Sequence, residues 1–514
     1  MVVHKRHHHL HEENVSPRSP QHRSVYVGTP TLKRHSSLGK GEHGFHRYGF
    51  KERILGAIYG SRKSILLLLI TCVLALTLCI TLRLRDSVSC MIKSRKKALA
   101  DEEGFQTPYE AYVDTFTRIK SVQRPLNECA RLLEFPQIGM LFLTHERIAN
   151  EATWETWFSL AKEKIPIHPS KLSTCGRDGG LQMRLSREGD LVRACTADGA
   201  SNSLDSQHLF DVWVHLSRGV GDDIYDGSIF QSKLIPAQYR VNATWGGHSL
   251  IDATRVLFAA SLTNPLVTKL FLVSESDVPL YGPELLYIQL VSESKSRING
   301  CNTTEGWDRN EYRLRQDFVE AGITYPIWRK SWQWIALVRD HADLVLKDTK
   351  VDKIFRSLCR PRWDHGWCDF RVCYSDEHYV PTLLAIHGLD NETDCHGELI
   401  DRDWSRVKPT DPHPYTYRSK DINKELFARL RHPEMPGCDR ANLIQSTTKE
   451  LFTTTQVVSK VWVKSKEHGL CSFMRKIRTP SFVPLASACP LLARKFSSDA
   501  SSNVLKLSSY IFGY

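Results

Sequence analysis

Lys269-Leu270-Phe271-Leu272-Val273, running directly into Ser274-Glu275-Ser276-Asp277-Val278-Pro279-Leu280-Tyr281, decides the reading of this chain. An apolar run this short, closed by hydroxyls, two carboxylates and a proline, reads as a buried strand ending in a polar loop. Ile138 to Thr144 and Phe210 to His215 read as strands of the same kind. Helical spacing falls between them. Glu151 to Lys162 places Trp154, Trp157, Phe158 and Ala161 on one face, and Ser249 to Leu262 does so with Leu250, Ala253, Thr254 and Leu257. Tyr281 to Val291 and Asp340 to Leu346 read as further helices, with another starting near Asp376. Strands alternating with helices predict an α/β domain with a mostly parallel central sheet. Ligands gather at the carboxyl ends of such strands, which puts Glu275 and Asp277 at the expected site.

Outward from that domain, one uncharged run stands alone, Ile65 to Leu82, 18 residues with Arg62 and Lys63 before it and Arg83 and Arg85 after. As a helix it reaches roughly 27 Å, enough for a thin bilayer. It carries no polar stripe, and it starts too far in for a cleaved signal peptide. A single uncleaved anchor at 64–82 is therefore expected. Lys and Arg flank it almost evenly, so charge does not orient it. Of the 14 cysteines, 12 follow the run, which suits an oxidising compartment. Three glycosylation sequons follow it too, at Asn242, Asn302 and Asn391; Asn14-Val15-Ser16 is discounted because proline follows it. These features favour a cytosolic tail (1–63), a stem (83–136) and a lumenal domain (137–432).

The net charge of +12 is no sign of a nucleic-acid partner, because residues 1–63 hold 12 Lys or Arg against 4 Glu. That tail, with His7-His8-His9, reads as solvated and disordered. Residues 165–207 read as an inserted loop closed by Cys175 and Cys195, and 433–514 as a Ser/Thr- and Lys-rich tail of no clear pattern.

Three polar clusters carry chemistry: Ser274 to Tyr281, Trp328-Arg329-Lys330-Ser331-Trp332-Gln333-Trp334, and Tyr374-Ser375-Asp376-Glu377-His378-Tyr379-Val380-Pro381-Thr382. Aromatic rings beside charged groups suit a sugar, whose C–H faces pack on rings while its hydroxyls need polar partners.

The collinear order of Leu141 to Thr144, Ser274 to Tyr281, Trp328 to Trp334, Cys359-Arg360-Pro361, Ser375 to Thr382, Asp403-Trp404-Ser405 and His413-Pro414 resembles the core-2/I-branching glycosyltransferases, the plant-type branch of glycosyltransferase family 14. The resemblance runs from about residue 137 to 431. It implies a GT-A-like nucleotide-sugar-binding domain and an inverting, metal-free transfer from a UDP-sugar to a glycan or glycoprotein hydroxyl. It also implies a type II Golgi-membrane setting. N-acetylglucosamine is the sugar it points to first, with glucuronic acid and xylose also used among relatives. The family's base falls on Glu377, as an attacking hydroxyl requires. Cations near the domain's C-terminal end stand in for a metal at the departing diphosphate. Arg406 and Arg431 are the candidates here, with His413 nearby, alongside Glu275 and Asp277 on the donor side. Trp328, Arg329, Lys330 and Trp334 are the acceptor candidates.

Each assignment has a structural rival. Glu377 and Asp376 equally suit the first turn of a helix, Glu275 and Asp277 suit a strand-end turn, and the tryptophans suit a core. Asp401-Arg402-Asp403 has the form of a Mn²⁺ motif, so a metal-dependent transferase is the alternative enzyme. An anchored glycan-binding protein without turnover is the non-enzyme alternative. Cys359, Cys368 and Cys373 with His365 or His378 have irregular spacing for zinc and read as disulfide partners. Ser331-Trp332 replaces a pair that is commonly Gly-Ser among relatives, which bears on the acceptor.

Overall fold

The computed structural model describes residues 66–67, 69–83, 85, 135–162, 164–166, 204, 207–302, 314–361, 373–408, 411–441, 444, 448–454 and 484–514. The basic tail, nearly all of the stem and the Cys175–Cys195 loop lie outside these residues.

The strands are β1 (Gln137–Thr144), β2 (Lys164–Pro166), β3 (Phe210–Leu216), β4 (Val267–Ser274), β5 (Val278–Pro279), β6 (Ser296–Arg297), β7 (Ala336–Val338), β8 (Thr393–Asp394), β9 (Ile400–Arg402), β10 (Phe452–Thr454) and β11 (Leu492–Arg494). A six-stranded sheet runs β3-β1-β4-β7-β6-β8. β1 pairs in parallel with β3 and β4, β6 with β8 also in parallel, and β7 is antiparallel to its neighbours. All eight residues of β1 are buried, as a central strand covered on both faces requires. Alternation sorts the side chains. Met140, Phe142, Val212 and Val273 join one core. Leu141, Leu143, Trp213 and Leu272 join the other.

The helices are α1 (Glu151–Ala161), α2 (Ser249–Leu262), α3 (Pro283–Ser292), α4 (Gln316–Glu320), α5 (Arg339–Lys347), α6 (Lys350–Leu358), α7 (Ser375–Ile386), α8 (Lys424–Leu430), α9 (Ser501–Lys506) and α10 (Ser508–Phe512). α1 and α3 cover the first face; α2, α5, α6 and α7 cover the second. Helix α2 lies so close to β1 that a Cβ on Gly139 would come within 2.6 Å of Ser261 Oγ. Because β1, β3 and β4 are parallel and in register at Leu143, His215 and Ser274, their carboxyl ends open on one edge.

The region from Pro433 corrects the expected tail. Among the described residues, β10 pairs with β2, at the start of what was expected as loop 165–207. β11 sits between β5 and β9. Cys438–Cys489 closes this region on itself, and Val504, Ile511 and Phe512 join the first core. A strand as short as Leu492–Arg494 has no periodicity to read, which is why a Ser- and Lys-rich setting hid it. Cys301–Cys395 and Cys359–Cys373 are the other described disulfides.

The chain divides into two units, Met1–Thr81 and Leu82–Tyr514. Residues 66–67, 69–83 and 85 are helical, with leucine and isoleucine side chains exposed. Among the described residues no helix is long and apolar enough to cross a membrane. The continuous described stretch, 69–83, falls short of the expected span at 64–82.

Candidate functional site

The carboxyl end of β4 is held from three directions. Asp277 is fully buried; its carboxylate accepts the backbone N–H of Ser274 at 2.7 Å and the Ser274 hydroxyl. Burial pushes this carboxyl up to about 6, against the pull of Arg494 and Ser274. Glu275 Oε2 accepts the backbone N–H of His145 at 2.6 Å, tying the loop after β1 to the loop after β4. From α1, Trp154 Nε1 donates to the Asp277 carbonyl (3.2 Å) and Trp157 Nε1 to that of Tyr281 (2.8 Å). The tryptophan face read from the sequence thus supports the site from beneath.

The cation beside Asp277 is Arg494, from the segment expected as a tail. β11 brings it there, pairing Ala493 with Val278 and Arg494 with Arg402. Arg494 Nε lies 3.7 Å from Asp277 Oδ1 and, though buried, has no hydrogen-bond partner. Its guanidinium sits 4.4 Å from the centroid of Trp334. Lys495 follows, lowered to about 8 by burial and by Arg494. It lines a cavity of about 680 Å³ with Glu146, Arg147, Glu275, Ser276 and Phe496. His413 is lowered by burial, then by Lys495 and Arg494, so it shares the same positive field.

The two arginines expected there do other work. Arg431 is buried and donates to the carbonyls of Leu280 (3.0 and 2.7 Å) and Ile511 (2.6 Å), with its guanidinium 5.0 Å from the Tyr281 ring. Donors spent on backbone carbonyls staple β5 to the C-terminal helix; a diphosphate role does not fit. Arg406 is half exposed, pairing with Asp403 at 3.3 Å and Asp421 at 3.7 Å. The Asp401/Asp403 pair is likewise engaged. Asp401 accepts from His432 Nε2 at 2.6 Å, raising that ring to about 9. Asp403 accepts from Ser405 Oγ at 2.6 Å and Tyr417 Oη at 3.1 Å.

The Trp328–Trp334 segment divides. Trp328 is fully buried, stacked 4.4 Å from His378 and edged by Phe318 at 5.3 Å. Arg329 is buried, donating to the Pro326 carbonyl (2.7 Å) and Asp390 (2.9 Å). Both belong to the core, which corrects their assignment to an acceptor. The second half approaches the surface. Lys330 lies 4.0 Å and Arg402 4.1 Å from the Trp332 centroid, and Trp332 stacks at 6.2 Å on exposed Trp404.

Glu377 is half-buried in the first turn of α7, and its carbonyl accepts the Ser331 N–H at 2.8 Å. Tyr374, three residues before it, packs at 5.2 Å on exposed Trp245, which packs at 5.3 Å on His413. Two sets of contacts result: Asp277, Arg494 and Trp334 on one side, and Ser331, Glu377, Tyr374, Trp245 and His413 on the other, with His413 in the positive field of Lys495 and Arg494. Sequence reasoning missed Trp245, Arg494 and Lys495. Trp404 lay in a quoted motif without an assigned role.

Residues 183–431 match the family model described as Branch: Core-2/I-Branching enzyme. Glycosyltransferase BC10 of Oryza sativa subsp. japonica is 34% identical over 209 residues, covering 37% of this chain and 50% of the relative. The chain spans about half the length of that curated relative. Every quoted motif except Leu141–Thr144 lies inside the matched segment. Arg494 and Lys495 lie outside it.

Proposed function

We propose that this chain, whose residues 183–431 match the Core-2/I-branching enzyme family model, is a glycosyltransferase. It moves a sugar from a UDP donor to a glycan hydroxyl with inversion. The observation that carries this reading is the entry of Arg494 and Lys495 beside Asp277, at the carboxyl edge of the sheet, with the Arg494 Nε ion-paired to Asp277 but making no hydrogen bond. The acceptor hydroxyl oxygen attacks the anomeric carbon while Glu377 takes its proton. The bond from that carbon to the diphosphate oxygen breaks, its electron pair leaves with UDP, and Arg494 and Lys495 receive the charge. Exposed Trp404 and Trp245 meet the acceptor, together with Lys330 and Trp334. The transferred sugar is taken as N-acetylglucosamine.

No metal enters this scheme, because Asp401 and Asp403 are committed to His432, Ser405 and Tyr417. The same reading makes 64–82 a single-pass type II anchor in the Golgi membrane with the domain lumenal. It is supported by the exposed apolar side chains of 66–67 and 69–82, by Thr77 and Thr81 hydroxyls bonded back to helix carbonyls, and by exposed Asn242, Asn302 and Asn391. Turnover of a panel of UDP-sugars by the full chain tests the proposal. Glu377→Gln is expected to lower kcat by about 10²–10⁴-fold, and EDTA to leave the parent unchanged. Parental turnover in Glu377→Gln removes the assigned base.

A further inference from the structure

A buried polar cluster under the first turn of α7 has no part in the reaction above. We propose that His248 is a positioning residue for Glu377, acting through the hydroxyl of Ser375; this rests on reading Glu377 as the base. Helix α7 starts without a side-chain cap. A serine at such a start ordinarily turns its hydroxyl to the helix N–H groups. Ser375 instead meets His248 Nδ1 at 3.1 Å, from the residue before α2. The other ring nitrogen, Nε2, lies 2.8 Å from Asp352 Oδ1 on α6. Serine, histidine and aspartate are all buried.

Asp352 is a firm anchor for the ring. It pairs with Arg255 at 2.8 Å and Arg356 at 3.3 Å, and Arg356 also forks onto Asp252 at 2.9 and 2.6 Å. Burial pushes the Asp352 carboxyl up, but the hydrogen bond with His248 and the charges of Arg255 and Arg356 outweigh it and hold it well below the usual range. Asp352 Oδ1 engages Nε2, so the opposite ring nitrogen, Nδ1, is the one turned to the Ser375 hydroxyl. The far side of the turn is held as well. Ser331 N–H donates to the Glu377 carbonyl, and His378 Nδ1 donates to the Arg329 carbonyl at 2.8 Å. Glu377 therefore sits between two sets of pins, and a base must be held within a fraction of an ångström to reach its proton.

Two other uses of the cluster fail on its own geometry. Ser375, His248 and Asp352 have the order of a hydrolytic triad, but Ser375 is fully buried and no substrate reaches its Oγ. Ligand atoms of His248, Asp252 and Asp352 lie within 4.8 Å of one another, yet Arg255 and Arg356 already balance both carboxylates and would repel a dication.

The test is steady-state turnover of UDP-sugar by the full chain, with melting curves alongside. Ser375→Ala is expected to lower kcat about tenfold and leave the donor KM within about twofold, since Arg494 and Lys495 are untouched. His248→Gln keeps the reach to Asp352 and loses Ser375, so it falls equally; combined with Ser375→Ala it falls no further. His248→Asn, whose amide occupies the Nδ1 position, recovers most of kcat. Should the His248 variants fail to fold, Ser375→Ala carries the test alone. Parental kcat per folded enzyme in Ser375→Ala, or a change in KM only, overturns the proposal. With Glu377→Gln run in parallel, inactivity there beside an active Ser375→Ala discards the positioning role and keeps the base. An active Glu377→Gln discards both.

Discussion

The two halves of the candidate site are built on opposite terms. Toward the donor, Asp277 is fully buried and the Arg494 side chain is 13% exposed, with the charged groups drawn from distant parts of the chain. Toward the acceptor, Trp245 and Trp404 are 43% and 38% exposed. Buried charges act through a low dielectric, so each counts heavily and must be matched. Exposed rings contribute in small, additive amounts and tolerate different partners. A donor half of the first kind reads one leaving group strictly, while an acceptor half of the second kind discriminates loosely.

Arg494 is where this contrast should break first. Arg494→Ala is expected to lower kcat by about 10²–10³-fold, the scale of removing one preorganised charge-stabilising donor. Arg431 is more deeply buried and equally cationic, but its donors serve the carbonyls of Leu280 and Ile511. Arg431→Ala should destabilise by roughly 1–3 kcal/mol for each carbonyl left unpaired while the folded fraction keeps its kcat. Melting curves and turnover on both variants separate the two roles. A loss of kcat in Arg431→Ala with an unaltered melting temperature would restore it to the donor site.

Asp277 gives the intermediate effect, through pH. Its folded value of about 6 lies above the unfolded value of about 3.9. Folding therefore favours the neutral carboxyl. The stability it contributes is fully present below about pH 4 and is lost as pH rises through about 6, a change of roughly 2–3 kcal/mol. Asp277→Asn keeps an acceptor for Ser274 and should flatten this slope between about pH 4 and 7 in melting experiments. An unchanged slope would mean that Asp277 titrates normally and that Arg494 balances it fully.

Much of this architecture was legible because long elements advertise their period. Ile138 to Thr144, Phe210 to His215 and Lys269 to Val273 all lie in the sheet, and the helices read at 151, 249 and 376 start within two residues of those positions. The strand-end carboxylates were legible for the same reason. The donor cations were not. β9 and β11 have three residues each, too few to alternate, and Arg494 follows a Pro- and Ala-broken apolar run, Phe482 to Ala493, with no readable period. Nor does a sequence say which guanidinium faces carbonyls and which faces a buried carboxylate; Arg431 and Arg494 differ only in what tertiary packing sets around them. Trp328 and Trp404 illustrate the same limit for rings, one in the core and one at the surface, each within a recognisable motif.

The exposed rings carry the smallest expected effect and the sharpest test of the loose half. Trp404→Ala and Trp245→Ala should each raise the acceptor KM by about three- to tenfold, the scale of ~0.5–1.5 kcal/mol per ring contact, with kcat at saturating acceptor and donor KM unchanged. Their effects should be close to additive, because Trp404 stacks on Trp332 while Trp245 packs on Tyr374 and His413, with no shared neighbour among these contacts. Trp245 is the more informative of the two, since it also touches the residue that precedes α7. If Trp245→Ala lowers kcat instead of raising the acceptor KM, its ring serves to hold the Glu377 turn, and the acceptor half then rests on Trp404 and Trp332.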